Sequence, residues 1–126
     1  MSIAVTVDHA RKLLLVRATG RISFDDIRSH LEEERLEGGL PYRELIDARG
    51  YTPAFSLNEV RSIVALLRQL GTESRLGPTA IIVDSDIGYG MIRFLEILVE
   101  DVCAVRPFRY QEEAEEWLAG FSAGSA

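Results

Sequence analysis

The sequence predicts a single α/β domain in which an antiparallel β-hairpin precedes alternating helices and strands, in the order β-β-α-β-α-β-α-β-α. Two strand-like runs open the chain, at residues 3–8 and 12–18. From residue 24 onward, segments with helical periodicity alternate with short apolar runs. A chain of 126 residues is long enough to bury one core. We therefore expect a mixed sheet with helices packed against it.

The composition excludes several classes of function. The formal net charge is -6 and the pI about 4.9, so a nucleic-acid footprint or a patch for anionic membranes is not expected. The start of the chain lacks the basic and apolar regions of a secretory signal, and Cys103 has no second cysteine to pair with. Charged residues interrupt the apolar stretch 91–103. We expect a cytoplasmic protein without a transmembrane segment.

The first half of the chain carries clear start and stop signals. The polar segment His9-Ala-Arg11 separates the two opening runs, which is typical of a β-hairpin. Ser23 and Asp26 stand at the two positions of a capping box, and Gly38 can end the helix that follows. These signals predict the first helix over residues 24–37.

A short apolar strand over residues 44–47 and a loop come next. The segment Ser56-Leu-Asn-Glu59 forms a second capping box, and Phe55 and Val60 stand where a hydrophobic staple would close. Apolar residues at helical spacing continue from there to Gly71. The pattern predicts the second helix over this stretch.

The third strand–helix unit begins with the β-branched run 79–83, which is typical of a central strand covered on both faces. A third helix is predicted at about 88–103. Its buried stripe is expected to contain Met91, Leu95, Leu98 and Val102, widened by Phe94 and Val99.

The end of the domain is predicted to be a strand and a short helix. Residues 105–109 are the last strand, and Pro107 places it on the edge of the sheet because proline cannot donate a ladder hydrogen bond. Residues 111–119 have helical spacing. We expect the domain to cover residues 1–119, followed by a disordered tail over 120–126.

The element order resembles that of the SpoIIAA-like, STAS-like family. Two further features carry the resemblance: Leu45-Ile-Asp47 leads into a capped helix, and the chain ends in Arg106-Pro-Phe-Arg-Tyr-Gln-Glu-Glu-Ala-Glu-Glu-Trp-Leu118. The resemblance implies a noncatalytic regulatory or protein-interaction domain related in fold to anti-sigma-factor antagonists. The family is also compared with CRAL-TRIO lipid-binding domains, which implies the alternative of a carrier or sensor of a lipid or other small apolar ligand.

Ser56 has two interpretations. In the antagonists that the family resembles, a serine at the corresponding helix start is phosphorylated within an Asp-Ser-Ser-Gly pattern. Ser56 lies in the segment Ala54-Phe-Ser-Leu-Asn58. The acid that precedes the serine pair in that pattern and the glycine that follows it are therefore both absent. The capping box explains Ser56 as a helix N-cap without phosphorylation, and we favour that interpretation.

Acids at the carboxyl ends of predicted parallel strands raise a third possibility. Asp47 and Asp84 each follow such a strand, with Arg49, Ser85 and Asp86 close by, at the edge where open α/β sheets usually bind ligands. Carboxylates there could hold Mg²⁺ or position a phosphate. Asp and Ser after a strand are more often turn and helix-cap residues, which we favour.

Other candidate groups carry no complete motif. His9 and His30 have no second histidine or cysteine at ligand spacing, so both are predicted to be solvated. Gly88-Tyr-Gly90 is a fragment of a phosphate loop without its lysine. Cys103 is interpreted as a small core residue. We predict no catalytic residue, no cofactor and no metal.

Surplus apolar side chains predict a contact surface. Tyr51 and Phe55 lie in the loop before the second helix, and Phe94 and Ile97 lie at or beyond the edge of the predicted stripe of the third helix. Gly90 would allow another chain to approach the helix closely.

We expect this surface to bind a protein partner of unknown identity or a second copy as a homodimer. A carrier would instead need an apolar cavity of ~300 Å³ or more. A nucleotide-binding or Mg-dependent phosphate-binding protein using the acids is a third, weaker alternative.

Overall fold

The computed structural model describes residues 2–54 and 56–121. The strands in this part of the chain are β1 (Ser2–Asp8), β2 (Leu13–Ile22), β3 (Arg43–Asp47), β4 (Tyr51–Pro53), β5 (Thr79–Ile82) and β6 (Val105–Phe108). The helices are α1 (Phe24–Glu37), α2 (Leu57–Glu73), α3 (Asp86–Val99) and α4 (Gln111–Ala119). The predicted α/β class is confirmed, with one strand more than expected.

The main sheet has the strand order β1-β2-β3-β5-β6. β1 pairs with β2 in antiparallel fashion, as the predicted hairpin requires, whereas β2, β3, β5 and β6 are parallel to one another. β5 lies between β3 and β6, and Pro107 of β6 stands opposite Ile81 of β5. Because β6 has no neighbour on its other side within the described residues, the prediction of an edge strand is confirmed.

The extra strand, β4, lies in the segment predicted to be a loop. β2 runs to Ile22, four residues beyond its predicted end at residue 18. Its last residues pass the end of β3 and leave backbone groups free, and Tyr51–Pro53 pair in parallel with Gly20–Ile22. This strand was not predicted, because its pairing depends on the unexpected length of β2.

Helices cover both faces of the sheet. The core on one face joins residues of α1, α2 and α3 to the sheet, with Ile63, Leu95 and Val99 among its members. On the other face, α4 packs Ala114 and Leu118 against β3, β5 and β6. β3 and β5 are thus covered on both sides, as expected for parallel strands.

Two capping boxes fix the starts of α1 and α2. The Ser23 side chain accepts from the Asp26 amide at 3.2 Å, and the Ser23 amide donates to the Asp26 carboxylate at 2.8 Å. α1 ends at Gly38, which has φ of 76°, a left-handed conformation that glycine adopts without strain. The predicted bounds of α1 are confirmed, whereas α2 passes Gly71 and ends at Glu73.

The predicted buried face of α3 is only partly correct, since Leu95 and Val99 are buried as expected but most of the other predicted members are not. The buried residues are Gly88, Ile92, Leu95 and Val99, whereas Met91, Leu98 and Phe94 are half-buried. The helix also ends at Val99 rather than near residue 103. Nearly every side of this helix carries an apolar residue, so hydrophobic periodicity alone does not determine which side meets the sheet.

The packed part of the chain reaches at least residue 121. The ring of Phe121 lies edge-on to Trp117, with ring centroids 4.9 Å apart. The Arg43 guanidinium donates to the carbonyl of Leu118 at 3.4 Å, to that of Phe121 at 3.5 Å and to that of Arg11 at 3.0 Å. Of the tail predicted over residues 120–126, residues 122–126 lie outside the described residues. No helix in the described part of the chain combines the length and apolarity needed to cross a membrane.

Gly77→Ala is expected to destabilise the fold. A Cβ at Gly77 would overlap the carbonyl oxygen of Tyr42 and lie 2.6 Å from that of Pro41, and both are backbone atoms that cannot move independently. We expect the free energy of unfolding to fall by roughly 3 kcal/mol. Urea denaturation followed by circular dichroism measures this change.

The matched control is Gly90→Ala, where a Cβ meets nothing within 4 Å. Gly90 lies inside α3, so alanine is expected to raise the free energy of unfolding by about 0.5–1 kcal/mol. Equal effects of the two substitutions would contradict the packing described for Gly77.

Candidate functional site

An apolar cavity lies between the sheet and helices α1 to α3. Its volume is about 160 Å³. Ile46 and Ile81 line it from the two inner strands, and Ile27, Leu31 and Ile63 line it from the helices. The cavity is about half the volume expected for a carrier of a larger ligand.

Polar side chains form a buried cluster in the wall of this cavity. His30 and Glu34 lie on α1 one turn apart, so they share one face of the helix, and Glu44 lies near the start of β3. Nε2 of His30 is 2.5 Å from Oε1 of Glu34 and 2.9 Å from Oε2 of Glu44. The three side chains are 10%, 9% and 7% exposed. We call them the His30 cluster.

The hydrogen bonds of the His30 cluster are incomplete. Nε2 of His30 forms its hydrogen bond with Glu44, and the other oxygen of Glu44 accepts from the Thr79 hydroxyl at 3.5 Å. An imidazole Nε2 carries at most one hydrogen, yet two carboxylates face this atom. Oε1 of Glu34 is left buried and without a hydrogen-bond partner. A buried acceptor of this kind is costly unless another group satisfies it.

Burial and mutual contact shift the pKa values of all three groups. Burial lowers the pKa of His30, but the hydrogen bonds and charges of Glu34 and Glu44 outweigh it and raise that pKa to about 10. Burial raises the pKa of Glu34 to about 8, and the charge of Glu44 acts in the same direction. Burial opposes ionisation of Glu44 as well, but hydrogen bonds from His30 and Glu34 hold its pKa below the ordinary value.

The prediction that His30 is solvated is wrong. α1 carries an apolar face at Phe24, Ile27 and Leu31, and the next position on that face is Glu34. An acidic residue on the apolar face of a helix indicates a buried polar contact, and this was the signal that the sequence contained. Its partner Glu44 lies on another element, so the complete cluster could not be found from local spacing. His9 is exposed, and its ring bonds the Tyr42 hydroxyl at 2.9 Å.

A groove reaches the His30 cluster from the surface. It runs between α1 and the β1–β2 hairpin, has a volume of about 480 Å³, and is lined in part by His30, Glu34 and Leu14. Exposed Glu33 and Glu37 also line it. His30 borders both the groove and the inner cavity. Among the residues that the structure describes, this cluster is the one group of three His, Cys, Asp or Glu side chains with ligand atoms within 4.8 Å of one another.

At the carboxyl edge of the sheet, the acid predicted to bind a ligand or ion after β3 is already paired with an arginine. The Arg49 guanidinium donates two hydrogen bonds to Asp47, at 2.9 and 2.8 Å. These bonds are the main reason that the pKa of Asp47 lies below its ordinary value. Arg49 also donates to Gln111 on α4 at 3.3 Å. The pair therefore ties the end of β3 to α4.

The acids after β5 also have local partners. Ser85 is the N-cap of α3, and its side chain accepts from the Gly88 amide at 3.0 Å. Asp86 accepts from Arg109 at 2.6 Å, and Asp84 is exposed. The structure thus places Ser85 in the helix-cap role that the sequence favoured. These acids do not form a shared ligand set with Asp47 in the described part of the chain.

Ser56 is the N-cap of α2. Its side chain accepts from the Glu59 amide at 3.2 Å, and its own amide donates to the Glu59 carboxylate at 2.9 Å. Both bonds of the predicted capping box are present, and the residue is exposed. Phe55 lies outside the described residues, and so does the predicted staple with Val60.

The predicted contact surface is divided by the structure. Tyr51 lines the inner cavity, while Phe94 is half-buried and packs against the core. Ile97 is 51% exposed and Gly90 has open space beside it. Ile87, one turn before Gly90, is 73% exposed and was not predicted as part of this surface. The exposed face of α3 therefore contains Ile87, Gly90, Phe94 and Ile97, which we call the α3 stripe.

Solved structures share this architecture. An uncharacterised DUF3478-family protein with a SpoIIAA-like fold from Shewanella loihica PV-4 aligns with a TM-score of 0.57 and 21% identity, over 93% of this chain and 92% of its own. The unphosphorylated anti-sigma factor antagonist SpoIIAA aligns with a TM-score of 0.58 and 14% identity, over 95% and 100%. The fold is SpoIIAA-like. Comparisons of the sequence with protein-family models and with curated proteins give no match.

One more polar group of this SpoIIAA-like domain faces an apolar environment. The Tyr51 hydroxyl is buried without a hydrogen-bond partner, and burial raises the pKa of Tyr51 to about 12. The residue belongs to β4, which the sequence did not predict, so its burial was not foreseen. Its ring and hydroxyl form part of the cavity boundary.

Tyr51→Phe is expected to stabilise the SpoIIAA-like domain. Removing a buried hydroxyl that lacks a partner should raise the free energy of unfolding by about 1 kcal/mol. Tyr42→Phe is the matched control, because it removes a hydroxyl that does have a partner, His9, and should not stabilise. Urea denaturation of both variants tests the assignment, and a loss of stability in Tyr51→Phe would contradict it.

Proposed function

We propose that this chain is a noncatalytic regulatory domain that acts in the cytoplasm by binding another protein through the α3 stripe. The exposed apolar face of α3 is the observation that carries the proposal. The likeness to the anti-sigma factor antagonist SpoIIAA supports a regulatory role in general, and no specific role follows from it. The partner that we propose first is a second copy of this chain.

The α3 stripe has the geometry of a contact surface. Its members are spaced by three, four and three residues, so they lie on one side of the helix, roughly opposite the buried face. Ile87 and Ile97 are exposed at its two ends. Exposed apolar area costs about 25 cal/mol per Å², which association would recover. Neighbouring apolar groups of this kind often mark binding sites.

Charge and size also favour association of two α3 helices. Arg93 and Glu96 flank the stripe and bond each other at 2.8 Å, which leaves little net charge beside it. Gly90 has no side chain to hold a second helix away. A symmetric dimer would place the same stripe of each copy in contact, as two-fold interfaces require.

The arrangement of reactive groups supports a noncatalytic role. Asp47 and Asp86 are engaged by Arg49 and Arg109, so neither is a free base. Burial raises the pKa of the Cys103 thiol to about 11, which keeps it in the unreactive protonated form at neutral pH.

Phosphorylation of Ser56 is not required by the proposed function. A phosphate would replace the capping hydrogen bonds between Ser56 and Glu59. It would also bring two negative groups together at the start of α2, against the favourable effect of the helix dipole. Peptide mass analysis of protein isolated from its own cells would decide whether Ser56 is modified.

The cavity favours a second candidate function, the sensing of a small apolar ligand. A cavity of about 160 Å³ is close to the ~150 Å³ of an engineered apolar cavity that stays dry and binds benzene. It is below the ~300 Å³ of typical pockets for drug-sized ligands, so a lipid does not fit without rearrangement. We therefore restrict this candidate to molecules of about the size of a single ring.

Ile97→Asp is expected to abolish self-association while the fold is retained. The new carboxylate would be buried within the contact, and such burial is costly without a partner. Because Ile97 is exposed in the monomer, the free energy of unfolding should change by less than about 0.5 kcal/mol. Native mass spectrometry and sedimentation measure the association.

The control for this experiment is Leu36→Asp on α1. Leu36 is 71% exposed and lies away from the α3 stripe, so this variant should associate like the unchanged protein. Phe94→Asp is less informative because Phe94 also packs against the core. A protein that is monomeric before any substitution, or a dimer that survives Ile97→Asp, would contradict the proposed self-association.

Benzene is expected to raise the melting temperature of the unchanged protein by filling the cavity. Ala18→Leu should remove this effect, because Ala18 lines the cavity and the larger side chain would occupy it. Ala18→Val is a smaller change that should weaken the effect. Thermal denaturation with and without benzene measures it, and an equal response from all three proteins would argue against binding in this cavity.

A further inference from the structure

The His30 cluster contains a buried acceptor that no group in the described part of the chain satisfies. Oε1 of Glu34 has no hydrogen-bond partner, and its side chain is more than nine-tenths buried. Glu44 is buried to a similar degree, beside the same imidazole nitrogen. Ionisation of both carboxylates in such a position requires positive charge close to both.

The positions of the three side chains fit a metal ion. One nitrogen of His30 and one oxygen each of Glu34 and Glu44 lie within 4.8 Å of one another. An ion bound at ~2.0–2.2 Å from each would hold tetrahedral ligand atoms ~3.3–3.6 Å apart. The present separations of 2.5 and 2.9 Å from His30 would need to open by roughly 1 Å or less. Small side-chain rotations on α1 and β3 can supply this.

We propose that His30, Glu34 and Glu44 form a binding site for one divalent transition-metal ion of the Zn²⁺ or Mn²⁺ class. Imidazole nitrogen favours such ions over Mg²⁺ and Ca²⁺, which prefer oxygen ligands throughout. A divalent ion with neutral His30 would neutralise both carboxylates. It would also satisfy the unpaired acceptor Oε1 of Glu34.

Neighbouring groups support this site from outside the ligand set. The Thr79 hydroxyl bonds the second oxygen of Glu44 and so orients the oxygen that faces His30. Thr79 belongs to β5, so the orientation comes from the most buried part of the sheet. With ligands from α1 and β3 only, one or more coordination positions would remain for water or a small ligand.

The groove supplies a route for a cation. His30 and Glu34 border it, and exposed Glu33 and Glu37 stand in its wall. Acidic side chains lining a concave surface raise the local concentration of cations. The ion would join α1 to β3, because its ligands come from both elements. This inference is independent of the proposed function, which rests on α3.

Equilibrium dialysis against Zn²⁺ and, separately, Mn²⁺ tests the proposal, with metal content measured by mass spectrometry. The protein should first be treated with a chelator. We expect one equivalent of metal per chain, and a melting temperature that rises with the metal and returns when the chelator is added. Mg²⁺ should produce neither effect.

Glu34→Gln and Glu44→Gln keep the side-chain size and remove one anionic ligand each. Loss of a partner outside the ligand set costs ~10- to 100-fold in metal affinity, and loss of a ligand should cost at least as much. Glu33→Gln is the matched control, since Glu33 is exposed on the same helix and should leave uptake unchanged. No uptake by the unchanged protein, or uptake equal in Glu34→Gln and Glu33→Gln, would overturn the proposal.

Discussion

Burial of β3 and β5 on both faces is the constraint on which the rest of the molecule depends. α1, α2 and α3 cover one face and α4 covers the other, so several side chains of each strand are buried. Leu45, Ala80 and Ile82 are apolar side chains that suit such buried positions. Glu44 and Thr79 are polar, and each must find a polar partner inside the domain. The His30 cluster follows from that requirement.

The sequence was most informative where a short signal determines a local structure. The capping boxes at Ser23 and Ser56 located the starts of α1 and α2, and Pro107 located the sheet edge, because each effect involves atoms within a few residues. The side of α3 that faces the sheet and the existence of β4 depend on partners far along the chain. Neither could be obtained from periodicity, since α3 is apolar on nearly all sides.

The candidate site was harder to predict than the fold for a related reason. The acids after β3 and β5 attracted attention by their place in the topology, yet Arg49 and Arg109 already bond two of them. The buried acceptor without a partner in the His30 cluster lies on α1 at Glu34, and Glu44 lies on the next element, β3, so helical spacing does not connect the two. The one signal in the sequence is Glu34, because it continues the apolar face of α1. That signal is not a spacing of metal ligands, so a search for ligand motifs does not find it.

Arg43 has a consequence for how this domain can be joined to other chains. Its guanidinium holds the hairpin turn at Arg11 and the backbone at Leu118 and Phe121 together, beside the amino end of β3. The start of α2 lies at the opposite end of the sheet. A fluorescent protein or affinity label joined directly after Phe121 would therefore begin beside the hairpin turn, far from Ser56.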